Sequence, residues 1–525
     1  MLPLLLLLCA AAAAQEIGSK ACAACHPDIA RRYAATGMAR SSGAVGSDRV
    51  RESFEQAAFQ DAASGAYYRV SDRYLLSFHR DQTAGERALR WFVGSGNVGR
   101  SYLYEAGGFL YQSPVSYYSS PAKWDASPGY HNRHQVDLTR AVEPACLQCH
   151  ASRVQPTAGT QNRYAAVPFL EGGISCERCH SPGAQHAAKM KSRAAGDKAI
   201  VNPAKLDAAR RDSVCAQCHL TGVARVARAG ATRGAYRPGA LLSDTLAVFV
   251  WADAESAELT ATSHFEKLAR SKCKLASGEK LWCGTCHDPH AGTEPAAYRA
   301  KCLSCHNAVA CKEQSAAREA AKDDCVRCHM PRGQTRMGEH VAYTDHAIPR
   351  RPASSSSASA RPGRELASFW RGAANDRDLA LGYAVVAMTE PAVRGRALEL
   401  LEKAAAGSSD VPVLSQLAQF YDRMGRDERA AELCERILKA EPGNAAAAAN
   451  LGIFRVKRGE VNEAIALWEK ALAANPAQSG VRMNLAVARF RSGDVAGAKA
   501  TLEKALEYDP DLEAARKMLA EMAGR

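Results

Sequence analysis

Eight residues, Cys283-Gly-Thr-Cys286-His287-Asp-Pro-His290, show in miniature the feature that most constrains this chain. A Cys-x-x-Cys-His pattern of this kind occurs at Cys22/Cys25/His26, Cys146/Cys149/His150, Cys176/Cys179/His180, Cys215/Cys218/His219, Cys283/Cys286/His287, Cys302/Cys305/His306 and Cys325/Cys328/His329. Two thiols three residues apart, followed at once by an imidazole, form the attachment pattern of a c-type haem. Each thiol adds to a porphyrin vinyl group and the next residue supplies the proximal iron ligand. The pattern therefore predicts seven covalently bound c-type haems, with the fourteen cysteines as attachment points and the seven histidines as proximal ligands. Structural zinc is the competing reading, but zinc ribbons do not require a histidine after every thiol pair.

The remaining histidines supply candidates for the far side of each iron. Of 15 histidines, seven belong to the motifs. Of the rest, His131, His134, His186, His264, His290, His340 and His346 are candidate distal ligands, and His79 reads as a surface or packed residue. His290, three residues past His287, lies on the same side as its neighbour and is free to reach a different centre. Met38 is a further candidate, as a thioether ligand near the first motif. Of 18 cysteines, only Cys9, Cys273, Cys311 and Cys434 fall outside the motifs, so a disulfide scaffold is a poor reading, although Cys273 with Cys311 stays open as a pair.

Residues 1–15 are an apolar Leu/Ala run ending in small residues. They read as a secretory signal peptide, which predicts an exported, periplasmic protein without a transmembrane segment after processing. The formal charge of +13 invites a nucleic-acid reading, but its distribution argues against one. Residues 366–525 hold 22 basic and 22 acidic residues, so the whole excess lies in the preceding part. There the expected haem propionates would balance it, and no nucleic-acid partner is expected.

Along the chain, residues 16–348 form the expected cytochrome region, with a β-rich insertion at about 66–120 where Tyr, Phe and Val alternate between glycine pairs. A hairpin turn is expected at Gly107-Gly108. Gly94-Ser-Gly96-Asn-Val-Gly99 matches a dinucleotide fingerprint in form only, because a strand-like run follows it where a helix is needed. A Pro/Ser/Ala linker spans 349–365. Beyond it, Gly425/Gly459/Gly493, Pro442/Pro476/Pro510 and Leu417/Leu451/Leu485 each recur at one constant interval. That period, about 34 residues, resembles the tetratricopeptide repeat, a helix-turn-helix unit. Clear repeats fall at about 412–444, 445–478 and 479–512, with a degenerate one before them.

Gly173-Ile-Ser-Cys176-Glu-Arg-Cys179-His180, Ser263-His264-Phe265-Glu266, Cys328-His329-Met-Pro and Thr344-Asp-His346 resemble the cytochrome c-554 family, in the subgroup fused to tetratricopeptide repeats. The resemblance spans most of residues 18–349. It implies a mainly α fold, a haem-packed domain with a small β insertion followed by an α-solenoid. It also implies electron transfer between close haems with bis-histidine ligation. The expected function is a periplasmic seven-haem electron carrier, not a catalytic oxidoreductase, whose repeats dock a redox partner. The alternatives are a haem enzyme acting on a small nitrogen or sulfur compound at one open haem, with no catalytic residue assigned, and a redox-sensing scaffold.

Overall fold

The computed structural model describes residues 15–523 apart from 131–132, 233, 253–262, 293, 308–310, 336–337, 351–364, 371 and 373. The expected signal segment and most of the expected linker therefore lie outside the described residues.

Alternating large apolar side chains between residues 42 and 126 build one eight-stranded antiparallel sheet. Its strands are β1 Ser42–Ala44, β2 Ala58–Gln60, β3 Tyr67–Val70, β4 Leu75–Arg80, β5 Thr83–Val93, β6 Gly99–Ala106, β7 Phe109–Ser119 and β8 Ala122–Ala126. They run in the order β2 to β8, with β1 paired to β5. The β6–β7 turn is Gly107-Gly108, both at positive φ (61° and 83°), which a two-residue hairpin turn of this kind demands. Gly94 to Gly99 is likewise a turn that leads into β6, a strand.

The sheet curls until its two ends meet. Trp124 on β8 donates through Nε1 to the Ser53 carbonyl at 3.1 Å, and its ring lies 5.0 Å from that of Phe54, just ahead of β2. Tyr68, Leu76, Phe78, Phe92, Tyr102 and Tyr104 fill the interior. Buried among them, Arg100 pairs with Glu52 at 2.6 Å, their side chains 1% and 2% exposed. The guanidinium also lies 4.3 Å over Phe92 and donates to the Arg49 carbonyl.

This corrects the expected fold class. The N-terminal region is a substantial, nearly closed β structure with a side-chain core of its own, not a small insertion in a haem-packed α domain. The physical reason is side-chain period. Residues such as Tyr102 and Tyr104 on β6 point to one face and, with Leu76 and Phe92, pack a core made of side chains alone.

From 144 to 350 the chain is made of short helices and small sheets, β9 Ala151–Pro156 with β10 Tyr164–Gly172, β11 Ala224–Ala227 with β12 Leu246–Trp251, and β13 Arg332–Thr335 with β14 Gly338–Thr344. Most of the Cys-x-x-Cys-His motifs fold as one helical turn. The histidine amide donates to the first cysteine's carbonyl at 2.9 Å in His26, 3.0 Å in His180, 2.9 Å in His287 and 2.9 Å in His306. An i to i+4 turn brings the first thiol and the imidazole to one side, which is why the motifs face a common space.

The repeats form nine helices among the described residues, α1 Asp376–Val386, α2 Arg394–Ala405, α3 Val411–Arg423, α4 Asp427–Ala440, α5 Ala445–Lys457, α6 Val461–Ala474, α7 Ser479–Arg491, α8 Val495–Tyr508 and α9 Glu513–Ala523. The period is visible in their ends. Asp410 and Asn444, one repeat apart, cap α3 and α5 by accepting from the amides of Val413 (3.1 Å) and Ala447 (3.0 Å). Gly425, Gly459 and Gly493 close α3, α5 and α7 at φ 67°, 80° and 85°.

Both ends of the solenoid are seated on the rest of the chain. At its start, β15 Leu366–Ser368 pairs with β12, and Phe249 of β12 fills the space beside Gly382 of α1, where a Cβ would lie 2.7 Å from the ring. Arg228 pairs there with the fully buried Asp378 at 2.5 Å. At its far end Tyr508 enters the core of the eight-stranded sheet. Asp511 accepts from Arg80 at 2.5 Å, the Thr83 hydroxyl at 2.7 Å and the Val136 amide at 3.0 Å.

Candidate functional site

A cavity of about 3810 Å³ opens between the sheet and the short helices. All fourteen motif cysteines and all seven motif histidines line it, together with His186, His264, His290, His346 and Met38. The expected site residues are thus brought to one place. His134 is exposed and is not part of the lining, and His79 is exposed on β4. His131 and the side chain of His340 lie outside the described residues.

The imidazoles meet mostly in pairs. His26 and His186 stack with centroids 6.4 Å apart and planes 14° apart. His180 and His290 stack at 5.7 Å and 12°, so His290 stands beside another motif's histidine and not beside its own neighbour. His287 stacks with His346 at 6.3 Å and 25°. His219 lies 5.3 Å from His264, which in turn is 4.7 Å from His346 and 6.1 Å from Tyr343.

Backbone carbonyls orient several of these rings. Nδ1 of His180 lies 2.8 Å from the Val201 carbonyl, that of His186 2.7 Å from Lys198, that of His329 2.9 Å from Pro349 and that of His346 3.0 Å from Thr344. A ring that donates through Nδ1 presents a bare Nε2 as an electron-pair donor. Burial disfavours the charged form of His150, His219, His264, His287, His290 and His346. It lowers His150, and with the neighbouring imidazoles His346, His219 and His287 it brings His264 down to about 3.

Thiols from different motifs also meet. Cys22 shares a hydrogen bond with Cys176, Cys149 with Cys218 and Cys215 with Cys283, and in each pair the bond pushes one thiol up and the other down. Chemically, the lining offers thiol sulfurs for covalent attachment and imidazole nitrogens for donation from two sides. Sequence reasoning missed Tyr298, whose hydroxyl lies 3.2 Å from Nδ1 of His287 and which carries no spacing that marks it. Cys273 and Cys311, left open as a pair on the sequence, are free thiols that line the same space.

The solenoid offers a second surface, the open face of α3, α5 and α7. Ile453 on α5 is 39% exposed there. Alongside runs a ladder that recurs once per repeat. Arg455 bridges Glu435 (2.8 Å) and Glu460 (2.7 Å), and Arg489 bridges Glu469 (2.5 Å) and Asp494 (3.8 Å). One repeat earlier, Tyr421 donates to Glu402 at 2.8 Å, which extends the ladder into the degenerate repeat one residue out of register.

Comparison with known proteins bears on both regions. The tetratricopeptide repeat family model matches residues 395–452 and 455–522, and the model described as cytochrome c554 and c-prime matches residues 116–181. Among solved structures, MamA of strain AMB-1 is 29% identical over 29% of this chain and 89% of its own, with a TM-score of 0.26. MamA from Desulfovibrio magneticus RS-1 is 21% identical over 28% of this chain and 84% of its own, also with a TM-score of 0.26. No curated protein matches.

The repeat domain expected from the periodic Gly, Pro and Leu positions is therefore present. The cytochrome expectations are corrected. The family match is confined to residues 116–181, where most of 18–349 was expected. Among the described residues no group of three or more His, Cys, Asp or Glu side chains is arranged to hold a metal ion. The expectation of seven iron centres in seven covalent haems, with electron transfer between them as the function, is withdrawn on that finding. The physical reason is that the described ligand-type side chains line one wide cavity, mostly in pairs, and do not close into coordination groups of their own. Among the described residues no helix is long and apolar enough to cross a membrane.

Proposed function

We propose that this is an exported, periplasmic docking protein. Its repeat solenoid binds a protein partner and holds it at a fixed position relative to the thiol- and imidazole-lined cavity. The observation that carries this reading is the attachment of the solenoid at both ends, through Phe249 beside Gly382 and through Asp511 with Arg80. A recognition surface anchored twice presents its ligand to the cavity-bearing part in one orientation, which lowers the ordering cost of association.

The partner is a redox protein, because the cavity gathers fourteen motif cysteines, the side chains most responsive to oxidation state. The role is binding and positioning, not catalysis, and the Cys-x-x-Cys-His side chains are the ligand-holding residues of the cavity.

The test places a photo-crosslinking residue at position 453 of the full chain in the producing cell. The expected product is one covalent adduct with an exported redox protein, absent when the same residue sits on the outer face of α6 at position 466. Equal labelling at both positions, or an adduct with a protein that has no redox group, contradicts the reading.

A further inference from the structure

Residues 15 to 19 lie against the segment from 171 to 184, and one buried carboxylate holds them there. Glu177, 3% exposed, accepts from the amides of Ile17 at 2.9 Å, Gly18 at 2.8 Å and Gly183 at 2.7 Å. Ser19 donates through its amide to Glu171 at 3.1 Å, and its hydroxyl accepts from the Cys176 amide at 3.1 Å. Ile17 packs beside Gly183, where a Cβ would lie 3.3 Å from its side chain. Just ahead of this anchor the fold makes no such demand. Gln15 is exposed, and its carbonyl is engaged by the Ala184 amide at 3.4 Å. Neither its nitrogen nor its side-chain amide forms a hydrogen bond among the described residues.

The sequence places a processing point at the same residue. The apolar run ends in Ala12-Ala-Ala14 ahead of Gln15, with small residues at the two positions that a leader-removing protease reads, which narrows the end of the expected signal segment to Ala14. Cleavage between Ala14 and Gln15 frees an exposed terminus. Cleavage two residues later would instead put a new ammonium group where the Ile17 amide meets Glu177. A glutamine with a free α-amine holds its own electrophile, since the side-chain amide carbon reaches that nitrogen in a five-membered ring.

From this convergence we infer that the exported chain begins at Gln15 and that this residue is converted to pyroglutamate, a modification site at the mature N-terminus. The step rests on the exported reading above and goes beyond it. The α-amine nitrogen attacks the side-chain amide carbon Cδ, and the new C–N bond closes the lactam. The bond from Cδ to Nε2 breaks, and ammonia leaves with the proton that the amine gives up. Neither oxidant nor reductant is needed. The product carries no charge at its terminus, and the Gln15 carbonyl stays available to the Ala184 amide. The ring also blocks stepwise removal of residues 15 to 18. That removal would take the Ile17 and Gly18 amides away from Glu177 and leave its buried carboxylate with the Gly183 amide.

The experiment uses the full chain, expressed with residues 1 to 14 in the producing cell, recovered at neutral pH and cut after lysine. Mass spectrometry is expected to show the peptide of residues 15 to 20 about 17 Da lighter than its unmodified form, the mass of one ammonia. A synthetic peptide of the same sequence, carried through the same steps, measures the cyclisation that handling causes. In Gln15→Ala the terminus is a free amine, and a broad-specificity aminopeptidase is expected to trim residues 15 and 16 at least about tenfold faster than in the unaltered protein. A terminus at Gln15 with a free amine, or cyclisation no greater than in the synthetic peptide, overturns the inference and leaves export intact. A terminus at any other residue, with the leader removed, does the same. Equal trimming of the two proteins overturns the protective role of the ring. A chain that retains residues 1 to 14 overturns the inference and the exported reading together.

Discussion

The solenoid and the cavity-bearing region are both rich in helices, yet they are held together in opposite ways. In the solenoid, helices of three to four turns bury their own apolar faces against the neighbouring helix, as Trp468 of α6 does against Gly452 of α5. Between 173 and 350, most helices run only one or two turns and several bury no residue at all, while their distinctive side chains face a cavity of about 3810 Å³. One region spends its sequence on packing, the other on lining a space. The difference teaches that regular repetition can specify a core in one case and a surface in the other, according to whether the repeated residues are apolar or are thiols and imidazoles.

The comparison breaks most sharply at the cores. Trp468 is 3% exposed, its Nε1 donating to the Ala449 carbonyl at 3.0 Å. Trp468→Ala is expected to cost about 3 to 5 kcal/mol in denaturant unfolding followed by helix signal, since cavity and lost transfer energy add. A cost below about 1 kcal/mol would place the repeat core elsewhere. In the sheet, Glu52→Ala strands the buried Arg100 and should destabilise by about 3 to 4 kcal/mol, read from the tyrosine and tryptophan signal. Replacing Glu52 and Arg100 together by apolar residues should recover part of that loss.

Smaller effects sharpen the contrast. Arg455→Ala removes one rung of the inter-repeat ladder, and with three partly exposed carboxylate partners the expected loss is about 0.5 to 1 kcal/mol, reduced further at high salt. Leu275, on a short helix beside the cavity, is 70% exposed, and Leu275→Ala should change thermal stability by less than about 0.5 kcal/mol. A larger loss would reveal packing in the cavity-bearing region that the structure does not contain.

The repeats were the most legible part of the sequence, because Gly425, Gly459 and Gly493 mark turns by their own conformational freedom and Leu417, Leu451 and Leu485 mark the buried face. The hairpin at Gly107-Gly108 was legible for the same reason. The extent of the sheet was not. Strand pairing such as β1 with β5, Ser42 against Val93, joins distant stretches of chain, and no local period announces it. The motif residues were legible as a set and their convergence on one space followed. The pairing of His180 with His290, which belong to well-separated parts of the sequence, is a property of the fold. Glu52 and Arg100 were unreadable, since a buried ion pair looks like two surface residues until the sheet closes over it.

The central claim is that the solenoid is anchored at both ends, and Asp511 tests it most directly. Burial alone would raise its carboxyl, but the bonds from Thr83, Arg80 and the Val136 amide outweigh that and hold it below the ordinary carboxylate range. A carboxyl whose folded value lies below its unfolded value of about 3.9 contributes fully above that value, and its contribution is lost as pH falls through the folded value. The measurement is hydrogen exchange of α8 and α9 in the full chain and in Asp511→Ala at neutral pH. The account predicts at least tenfold faster exchange in α8 and α9 of the variant, with α3 to α6 unchanged. Identical exchange in both proteins would contradict the anchor and, with it, the fixed placement of the docking face.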